Sequence, residues 1–313
     1  MKTKQTKIVV VGAGAVGSYF GGLLAKAQHD VILIGRSDHI RTIQDKGLYM
    51  DCQSFQEYVE VQASTDYEAL AQADLVLFCV KSPDTELVMQ EIKPFLSQDA
   101  MILSLQNGVD NCERMKNYFT GAIYTAVVYV ATGMMAPGHV KHFGRGELVI
   151  GSLGPASEND QKNLIRIASI LNESQIPCTI ADKIKDQMWI KFLVNCSFNA
   201  ISAIGDVEYG KMVQVPEINQ LIEEITQEFI LIAKQEGVII TPEMAATANH
   251  QIALTMAKQK SSTAQDLAKK RKTEIDYLNG LIVRLGKKYQ IPTPANQSVY
   301  ALIKMFENNC SEK

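Results

Sequence analysis

The sequence lacks the features that mark several classes of protein. No apolar run reaches 18 residues, so no membrane-spanning helix is predicted. Lys and Arg number 31 against 34 Asp and Glu, a net charge of −3, so no concentrated basic surface for nucleic acid is expected. The amino-terminal MKTKQTK has none of the apolar stretch of a secretory signal, which favours a cytoplasmic location.

The few cysteines and histidines indicate neither a disulfide framework nor a metal site. None of the six cysteines forms a C-x-x-C pair, so we predict buried thiols in a reducing compartment. His139 and His142 have a metal-like spacing, but no Cys or third His lies nearby, and we assign them to a turn and a strand. The basic run Lys269–Lys272 has acidic neighbours and is predicted to be a solvated helix face. A nucleic-acid patch and a site for an anionic ligand are the alternatives.

The length and the patterning predict two domains. The chain has 313 residues, 46% of them apolar, which is comfortable for two cores. Apolar strand-like runs alternate with helical ones in the first half, and only helical patterns follow Asp182. We therefore predict an α/β fold, with a Rossmann-type doubly wound domain over residues 1–182 and an all-helical domain over residues 183–313. A ligand-binding cleft between the two domains is expected.

A glycine-rich turn near the start predicts a dinucleotide site. Ile8–Val11 reads as a buried parallel strand, and Gly12, Gly14 and Gly17 form G-x-G-x-x-G before a helix that starts near Ala15. Such glycines allow a tight turn and a close approach of pyrophosphate to the helix amino terminus. The predicted cofactor-binding residues of this turn are Gly12, Ala13, Gly14, Ala15, Val16 and Gly17.

The end of the second strand favours NADP(H) over NAD(H). An NAD site commonly places an acidic residue there for the ribose 2′-hydroxyl, whereas this chain has Gly35, Arg36 and Ser37. The guanidinium of Arg36 suits a 2′-phosphate, which an acidic residue would repel. The alternative is that Arg36 is a solvated loop charge.

Two further strand ends carry polar residues. ADLVLFCVKS ends near Lys81, and AMILSLQNGVDN ends near Asn107. Ligands of open α/β sheets lie at the carboxyl ends of strands, so Lys81 is a candidate for cofactor phosphates and Asn107 for the nicotinamide end. The segment from Ala122 to Gly151 is expected to add antiparallel strands, before a helix and a last short strand.

In the second half, WIKFLVNCSFNAISAI is an apolar helix with a polar stripe. Lys191, Asn195 and Asn199 are four residues apart and fall within an arc of about 80°. Unpaired burial would cost several kcal/mol, so either the protein satisfies these groups or they face a bound polar ligand. Ser202 falls in the same arc.

Two other segments hold candidate chemistry. SSTAQD, residues 261–266, places two hydroxyls between predicted helices. Glu274 is expected to head a helix that carries an apolar stripe of Leu278, Leu281 and Leu285. It is either an acid in a first helical turn, stabilised by the dipole, or a group that meets a partner.

These motifs together resemble the ketopantoate reductase (2-dehydropantoate 2-reductase) family along essentially the whole chain. The glycine motif is shared with many dehydrogenases. The more specific features are K-x-x-x-N-x-x-x-N at Lys191, then SSTAQD, then KTEIDYLNGLI.

The resemblance implies the reaction and a role for each residue. The reaction is reduction of 2-dehydropantoate to pantoate by NADPH, in pantothenate biosynthesis, with a small-molecule 2-oxo acid as substrate. Lys191 would be the proton donor, and Asn195, Asn199 and Ser262 would hold the substrate. Cofactor contacts are implied for four residues: Arg36 and Lys81 at the adenine-side phosphates, Asn107 near the reacting centre and beside the substrate, and Glu274 at the nicotinamide ribose.

One departure leaves the substrate open. Some members place a substrate-binding asparagine before the glycine that is Gly210 here, whereas this chain has Tyr209, with Asp206 three residues earlier. Reduction of a related 2-oxo or 3-oxo acid is therefore one alternative, and a non-catalytic NADP(H) sensor is another. Helical domains of such enzymes often form dimers, so a homodimer is a candidate assembly.

Overall fold

The computed structural model describes residues 6–311, which divide into two compact units. The first unit extends to Ile184 and the second begins at Lys185. The division falls close to the boundary predicted at Asp182. Among the helices of the described residues, none is long and apolar enough to cross a membrane.

The first unit contains one mixed ten-stranded sheet with helices. Its strands are β1 (Lys7–Val11), β2 (Asp30–Ile34), β3 (Leu48–Asp51), β4 (Gln56–Val59), β5 (Gln62–Ser64), β6 (Leu75–Phe78), β7 (Met101–Ser104), β8 (Ala122–Ala136), β9 (His139–Gly151) and β10 (Cys178–Ile180). Its helices are α1 (Ala15–Lys26), α2 (Ser37–Lys46), α3 (Thr85–Ile92), α4 (Asn111–Met115) and α5 (Glu158–Glu173). The strand order is β4-β3-β9-β8-β7-β6-β1-β2-β5, with β10 beside β9.

The central strands are parallel and covered on both faces, as the uninterrupted apolar runs predict. In β1, Ile8 and Val10 belong to one hydrophobic cluster, and Val9 and Val11 belong to another. This alternation follows from the two-residue period of a strand. The predicted Rossmann-type sheet is confirmed, and its carboxyl strand ends come together at one edge.

The predicted antiparallel strands after Ala122 form a long hairpin. Strand β8 pairs antiparallel with β9, and register shifts interrupt the pairing after Tyr129, Ala131 and Met134. The short strands β3, β4 and β5 were not predicted. They are three or four residues long, and their sequences lack long apolar runs.

The second unit is helical, and no strand occurs in residues 185–311. With α6, which begins at the unit boundary, its helices are α6 (Ile184–Gly205), α7 (Tyr209–Met212), α8 (Pro216–Gln235), α9 (Pro242–Thr255), α10 (Ser262–Ala268), α11 (Asn279–Tyr289) and α12 (Pro294–Ser311). Thr241 caps α9 as predicted, because its side chain accepts a hydrogen bond from the Met244 N–H. The predicted all-helical domain is confirmed.

Helix α6 is the central element of this unit. Trp189 and Phe192 meet Phe229 of α8 in edge-to-face contacts, with ring centroids 5.5 and 5.0 Å from that of Phe229. The Asn279 side chain donates to the Cys196 carbonyl oxygen at 3.0 Å, which joins α11 to the middle of α6. The apolar character of α6 is thereby explained by packing on several sides.

A single carboxylate holds the start of α12. Glu228 of α8 accepts hydrogen bonds from the backbone N–H groups of Ala295 and Asn296, at 2.7 and 2.9 Å, and from the Asn296 side chain at 2.8 Å. The first N–H groups of a helix have no partner inside the helix, so an acceptor from elsewhere is needed. Glu228 is that acceptor and ties α12 to α8.

Replacement of Glu228 by Ala should destabilise the protein. It would leave the N–H groups of Ala295 and Asn296 without their acceptor, at a cost of about 1–3 kcal/mol for a buried unsatisfied donor. Urea denaturation measures the free energy of unfolding. Glu224→Ala, an exposed change on the same helix, should alter it by less than about 0.5 kcal/mol. Equal effects of the two changes would contradict this role of Glu228.

Candidate functional site

The glycine turn has the shape that a dinucleotide pyrophosphate requires. Gly12 has φ +98°, where side chains are strained, and a Cβ on Gly17 would lie 2.3 Å from the Gly12 carbonyl oxygen. A Cβ on Gly14 would meet nothing within 4 Å. Gly14 therefore leaves open space at the start of α1, where free N–H groups and the helix dipole favour an anion. The residues present fit a bound dinucleotide.

A buried histidine holds this turn in place, which the sequence did not predict. The Gly138 N–H donates to His39 Nδ1 at 2.8 Å, so in the neutral ring Nε2 carries the proton and donates to Ser18 Oγ at 3.1 Å. Ser18 Oγ in turn donates to the Ala13 carbonyl oxygen at 3.2 Å. Burial lowers the pKa of His39, which favours the neutral ring that this chain of bonds requires.

Arg36 lies at the end of β2, as predicted. It precedes the first residue of α2, and its backbone carbonyl accepts the Ile40 N–H at 3.0 Å. Its side chain is exposed. Gly35 before it is closely packed, since a Cβ there would lie 2.9 Å from the Ala13 Cβ. The end of β2 is therefore in contact with the glycine turn.

Lys81 and Asn107 follow β6 and β7, and each comes three residues after the last residue of its strand. Both side chains are half-buried. The two loops are joined at Asn107, whose carbonyl oxygen accepts from Ser82 Oγ at 3.0 Å and from Asn111 Nδ2 at 2.7 Å. The backbone of Asn107 is therefore fixed to the loop that carries Lys81.

A buried polar network extends below these loops. Asn111 Oδ1 accepts from Thr85 Oγ1 at 3.1 Å, and Thr85 Oγ1 accepts from Gln106 Nε2 at 2.7 Å. Arg114 donates to Asn111 Oδ1 at 3.1 Å and forms an ion pair with Glu86, whose pKa it lowers. Sequence reasoning missed this network. The feature of the sequence that could have predicted it is the cluster of polar residues directly after two apolar strands.

The polar stripe of α6 becomes more buried toward its carboxyl end. Lys191 and Asn195 are half-buried, Asn199 is 4% exposed and Ser202 is fully buried. Ser202 Oγ donates to the Val207 carbonyl at 2.7 Å and accepts from the Ser261 N–H at 3.1 Å. The protein therefore satisfies the deep end of the stripe.

The middle of the stripe keeps polar groups available. Asn199 Oδ1 accepts from the Tyr209 hydroxyl at 2.9 Å, while within residues 6–311 no hydrogen bond involves Asn199 Nδ2. The Asn195 side chain likewise makes none in this part of the chain. Of the two explanations for the stripe, protein partners account for Ser202 and for one side of Asn199, and do not account for the Asn195 side chain. Asp206, next to the motif departure, is exposed and forms an ion pair with Lys260.

The serine pair has two distinct environments. Ser261 is buried and caps α10, since its Oγ accepts from the Ala264 N–H at 3.0 Å and donates to the Asn199 carbonyl at 2.9 Å. Ser262 is exposed and is the first residue of α10. The expectation that both hydroxyls lie between helices is therefore wrong for Ser262.

Glu274 does not head a helix, so that prediction is wrong. A short 3₁₀ turn covers Ile275–Tyr277, and α11 begins only after Leu278, whose ψ of −111° interrupts the helix. Glu274 is half-buried in the segment before the turn. Thr273, beside it, is anchored on α12 because its N–H and Oγ1 both donate to Glu307 Oε1 at 2.7 Å.

The prediction that the basic run Lys269–Lys272 lies on a helix is also wrong. The four residues are exposed, as predicted, but Lys269 and Lys270 form a turn after α10, with Lys270 at φ +52°, and Arg271 and Lys272 have no regular structure. His139 and His142 lie on β9, and no group of metal-ligating side chains occurs in residues 6–311.

Four of the cysteines in the described part of the chain are buried, and Cys79 is half-buried. Burial raises the pKa of the Cys52 thiol to about 11. The side chain of Cys310 lies outside the described residues, as do Met1–Gln5.

Comparison with known proteins shows the family. The profile described as "Ketopantoate reductase PanE/ApbA" matches residues 8–155, and its carboxy-terminal counterpart matches residues 183–307. The chain belongs to the ketopantoate reductase family. The predicted resemblance and the prediction of an oxidoreductase are confirmed.

Individual relatives cover the whole chain. The 2-dehydropantoate 2-reductase of Halobacterium salinarum is 29% identical over 97% of this chain and 99% of its own length. A PanE/ApbA family ketopantoate reductase from Ralstonia eutropha is 43% identical, with a TM-score of 0.91 over 98% of this chain and 100% of that chain. A D-mandelate dehydrogenase, solved with NADH and anilino(oxo)acetate, is 28% identical, with a TM-score of 0.91 over the same shares.

The His39 bridge predicts a loss of stability in mild acid. Because the folded state lowers the pKa of His39 below 6.5, the unfolded state binds the proton more readily. The contribution of His39 is therefore complete above about pH 6.5 and is lost as pH falls through the folded-state pKa. Urea denaturation between pH 8 and pH 5 should show a smaller pH dependence for His39→Gln than for the native chain. Identical pH dependence of the two proteins would contradict the prediction.

Proposed function

We propose that this chain reduces 2-dehydropantoate to pantoate with NADPH, as a step in pantothenate formation. One observation carries the proposal: Lys191 shares a helix face with an Asn195 amide and an Asn199 Nδ2 group that make no hydrogen bond within residues 6–311. These amide groups are not among the completely buried polar atoms of the described residues, so a polar ligand can reach them and use their hydrogen-bonding capacity. Membership of the ketopantoate reductase family supports a 2-oxo acid as that ligand.

Lys191 is proposed to supply the proton. Reduction places negative charge on the C2 oxygen, and an ammonium at that oxygen stabilises the charge and then donates Nζ–H. Arginine cannot perform the second task, because it does not deprotonate in proteins. Asn195, Asn199 and Ser262 are proposed to orient the substrate without adding charge.

The cofactor roles rest on the first unit. When bound, NADPH supplies the hydride for C2. Residues Gly12–Gly17 are proposed to receive its pyrophosphate at the start of α1, because Gly14 leaves that approach open. Arg36 and Lys81 are proposed to hold the adenine-side phosphates. Asn107, whose backbone is fixed by Ser82 and Asn111, is proposed to contact the nicotinamide end and the substrate. Glu274 is proposed to contact the nicotinamide ribose.

A second candidate is reduction of an aryl-substituted 2-oxo acid. It is favoured by the whole-chain likeness to a D-mandelate dehydrogenase, whose structure holds an anilino-substituted oxo acid. The chemistry at C2 is the same in both reactions, so Lys191 would keep its role. Only the group beyond C2 differs.

A spectrophotometric assay separates these functions. We expect oxidation of NADPH at 340 nm with 2-dehydropantoate, and slower oxidation with 2-oxoisovalerate and phenylglyoxylate. A higher kcat/KM with phenylglyoxylate would favour the second candidate. Tight NADPH binding without reduction of any member of the panel would instead support a non-catalytic sensor.

Replacement of Lys191 tests the proton donor. Lys191→Ala should lower kcat by at least about 100-fold, the usual contribution of a positioned acid. Lys191→Arg keeps the charge and should lower kcat similarly, with a smaller change in substrate KM. Lys185→Ala, an exposed change in the same helix, is the matched control and should leave kcat within about twofold. Near-native turnover by Lys191→Ala would refute the role.

Replacement of Arg36 tests the cofactor preference. Arg36→Ala should raise the KM for NADPH by about tenfold or more, as expected for loss of a charge-assisted bond to the 2′-phosphate, and leave the KM for NADH nearly unchanged. Arg41→Ala, also exposed and on α2, is the control for a lost positive charge. An equal effect of Arg36→Ala on both cofactors would argue against 2′-phosphate recognition.

A further inference from the structure

We infer that Tyr209 is a specificity-determining positioning residue: its hydroxyl holds the Asn199 amide in place, with Oδ1 occupied and Nδ2 left for the substrate. The inference rests on the proposed function for the identity of the substrate. It does not follow from the family motif, because Tyr209 occupies the position where some members have an asparagine. It assigns to that tyrosine a task on a neighbouring side chain.

Tyr209 is held rigidly. Its side chain is buried, and its ring meets Phe198 edge to face, with centroids 5.5 Å apart and planes at 84°. Its backbone N–H donates to the Gln259 carbonyl at 3.0 Å, and the Gly210 N–H donates to the Ala257 carbonyl at 2.9 Å. Ring packing and backbone hydrogen bonds thus leave the hydroxyl little freedom to move.

In the structure, the Tyr209 hydroxyl donates to the Asn199 amide. It lies 2.9 Å from Asn199 Oδ1, which accepts hydrogen bonds but cannot donate them. Burial raises the pKa of Tyr209 well above its usual value, so the phenol keeps its proton and donates it. A rotation of the amide by 180° would replace this bond by one from Nδ2 to the phenol oxygen and would turn Oδ1 away from Tyr209. In the observed orientation, Tyr209 holds the amide through Oδ1 and leaves Nδ2 for a ligand.

The observed orientation determines what Asn199 offers to a ligand. With Oδ1 occupied, Nδ2 is the available group, and no hydrogen bond within residues 6–311 uses it. Its substrate partner must be an acceptor, such as a carboxylate or keto oxygen. The Asn195 amide makes no hydrogen bond in the same part of the chain, so it remains free to donate or to accept. The two amides of the stripe thus have different tasks.

The chain offers a test that removes the hydroxyl and keeps the ring. Tyr209→Phe preserves the contact with Phe198 and frees the Asn199 amide to rotate. We expect the KM for 2-dehydropantoate to rise about tenfold, as for one hydrogen bond to a charged group, with kcat within about threefold. Tyr124→Phe is the matched control. Tyr124 is equally buried and its hydroxyl donates to Asp160 in the other unit, so loss of this hydroxyl should leave KM unchanged.

A double-mutant cycle shows whether Tyr209 acts through Asn199. The variants are Tyr209→Phe, Asn199→Ala and the double change, and each is also tested for binding of 2-dehydropantoate to the NADP⁺-loaded protein by calorimetry. If the inference is right, Tyr209→Phe weakens binding in the native background and has almost no further effect beside Asn199→Ala. Equal effects in both backgrounds would overturn it, as would native binding by Tyr209→Phe.

The cycle separates this inference from the proposed function. Failure of the native chain to oxidise NADPH with 2-dehydropantoate refutes the function. The same cycle is then measured as dissociation constants of whichever panel acid binds best, so the coupling of Tyr209 to Asn199 is still decided. If no panel acid binds, both the function and the inference are refuted.

Discussion

The burial of helix α6 is the constraint on which the second unit depends. Its apolar side packs on Phe229 of α8, and a side chain of α11 bonds to the Cys196 carbonyl in its middle. The polar groups that such a helix buries completely must find partners inside the protein. The protein supplies partners for Ser202 and for one side of Asn199, and supplies none within residues 6–311 for the Asn195 amide. The buried end of the stripe is therefore structural, whereas the Asn195 amide is a group that the substrate would meet under the proposed function.

In the first unit, steric packing restricts which residues the candidate cofactor site can contain. Its glycine turn is folded so tightly that a Cβ on Gly17 would collide with the Gly12 carbonyl, so shape decides which residues are tolerated there. Hydrogen bonds then hold the turn and the strand ends in position. His39 and Ser18 fix the Ala13 carbonyl, and Ser82 and Asn111 fix the Asn107 carbonyl. In both places a side chain bonds to the backbone of a candidate ligand-binding residue and holds that residue in position.

Periodicity and turn chemistry predicted the parts of the fold that depend on local sequence. The glycine turn before α1, the Thr241 cap of α9 and the polar face of α6 are properties of neighbouring residues, and the structure confirms each of them. The contacts of Tyr209, His39 and Asn111 join residues that are distant in the chain or lie on separate elements, so no local pattern revealed them. The prediction that Glu274 heads a helix was wrong for another reason. The periodic leucines suggested one continuous helix, whereas the anchoring of Thr273 on Glu307 and the backbone of Leu278 divide that segment.

The donor and acceptor groups of the α6 stripe agree with the proposed 2-oxo acid. A carboxylate and a keto oxygen can only accept hydrogen bonds, whereas the ammonium of Lys191 and the Nδ2 group of Asn199 can only donate them. The corresponding 2-amino acid would instead bring an ammonium, whose N–H groups find no acceptor on Lys191 and whose charge it repels. In the observed orientation Tyr209 also occupies the Asn199 oxygen, which leaves the Asn195 oxygen as the amide acceptor of the stripe without a partner in residues 6–311. Under the proposed function, the stripe favours an oxo acid through its donors and through the repulsion between two ammonium groups.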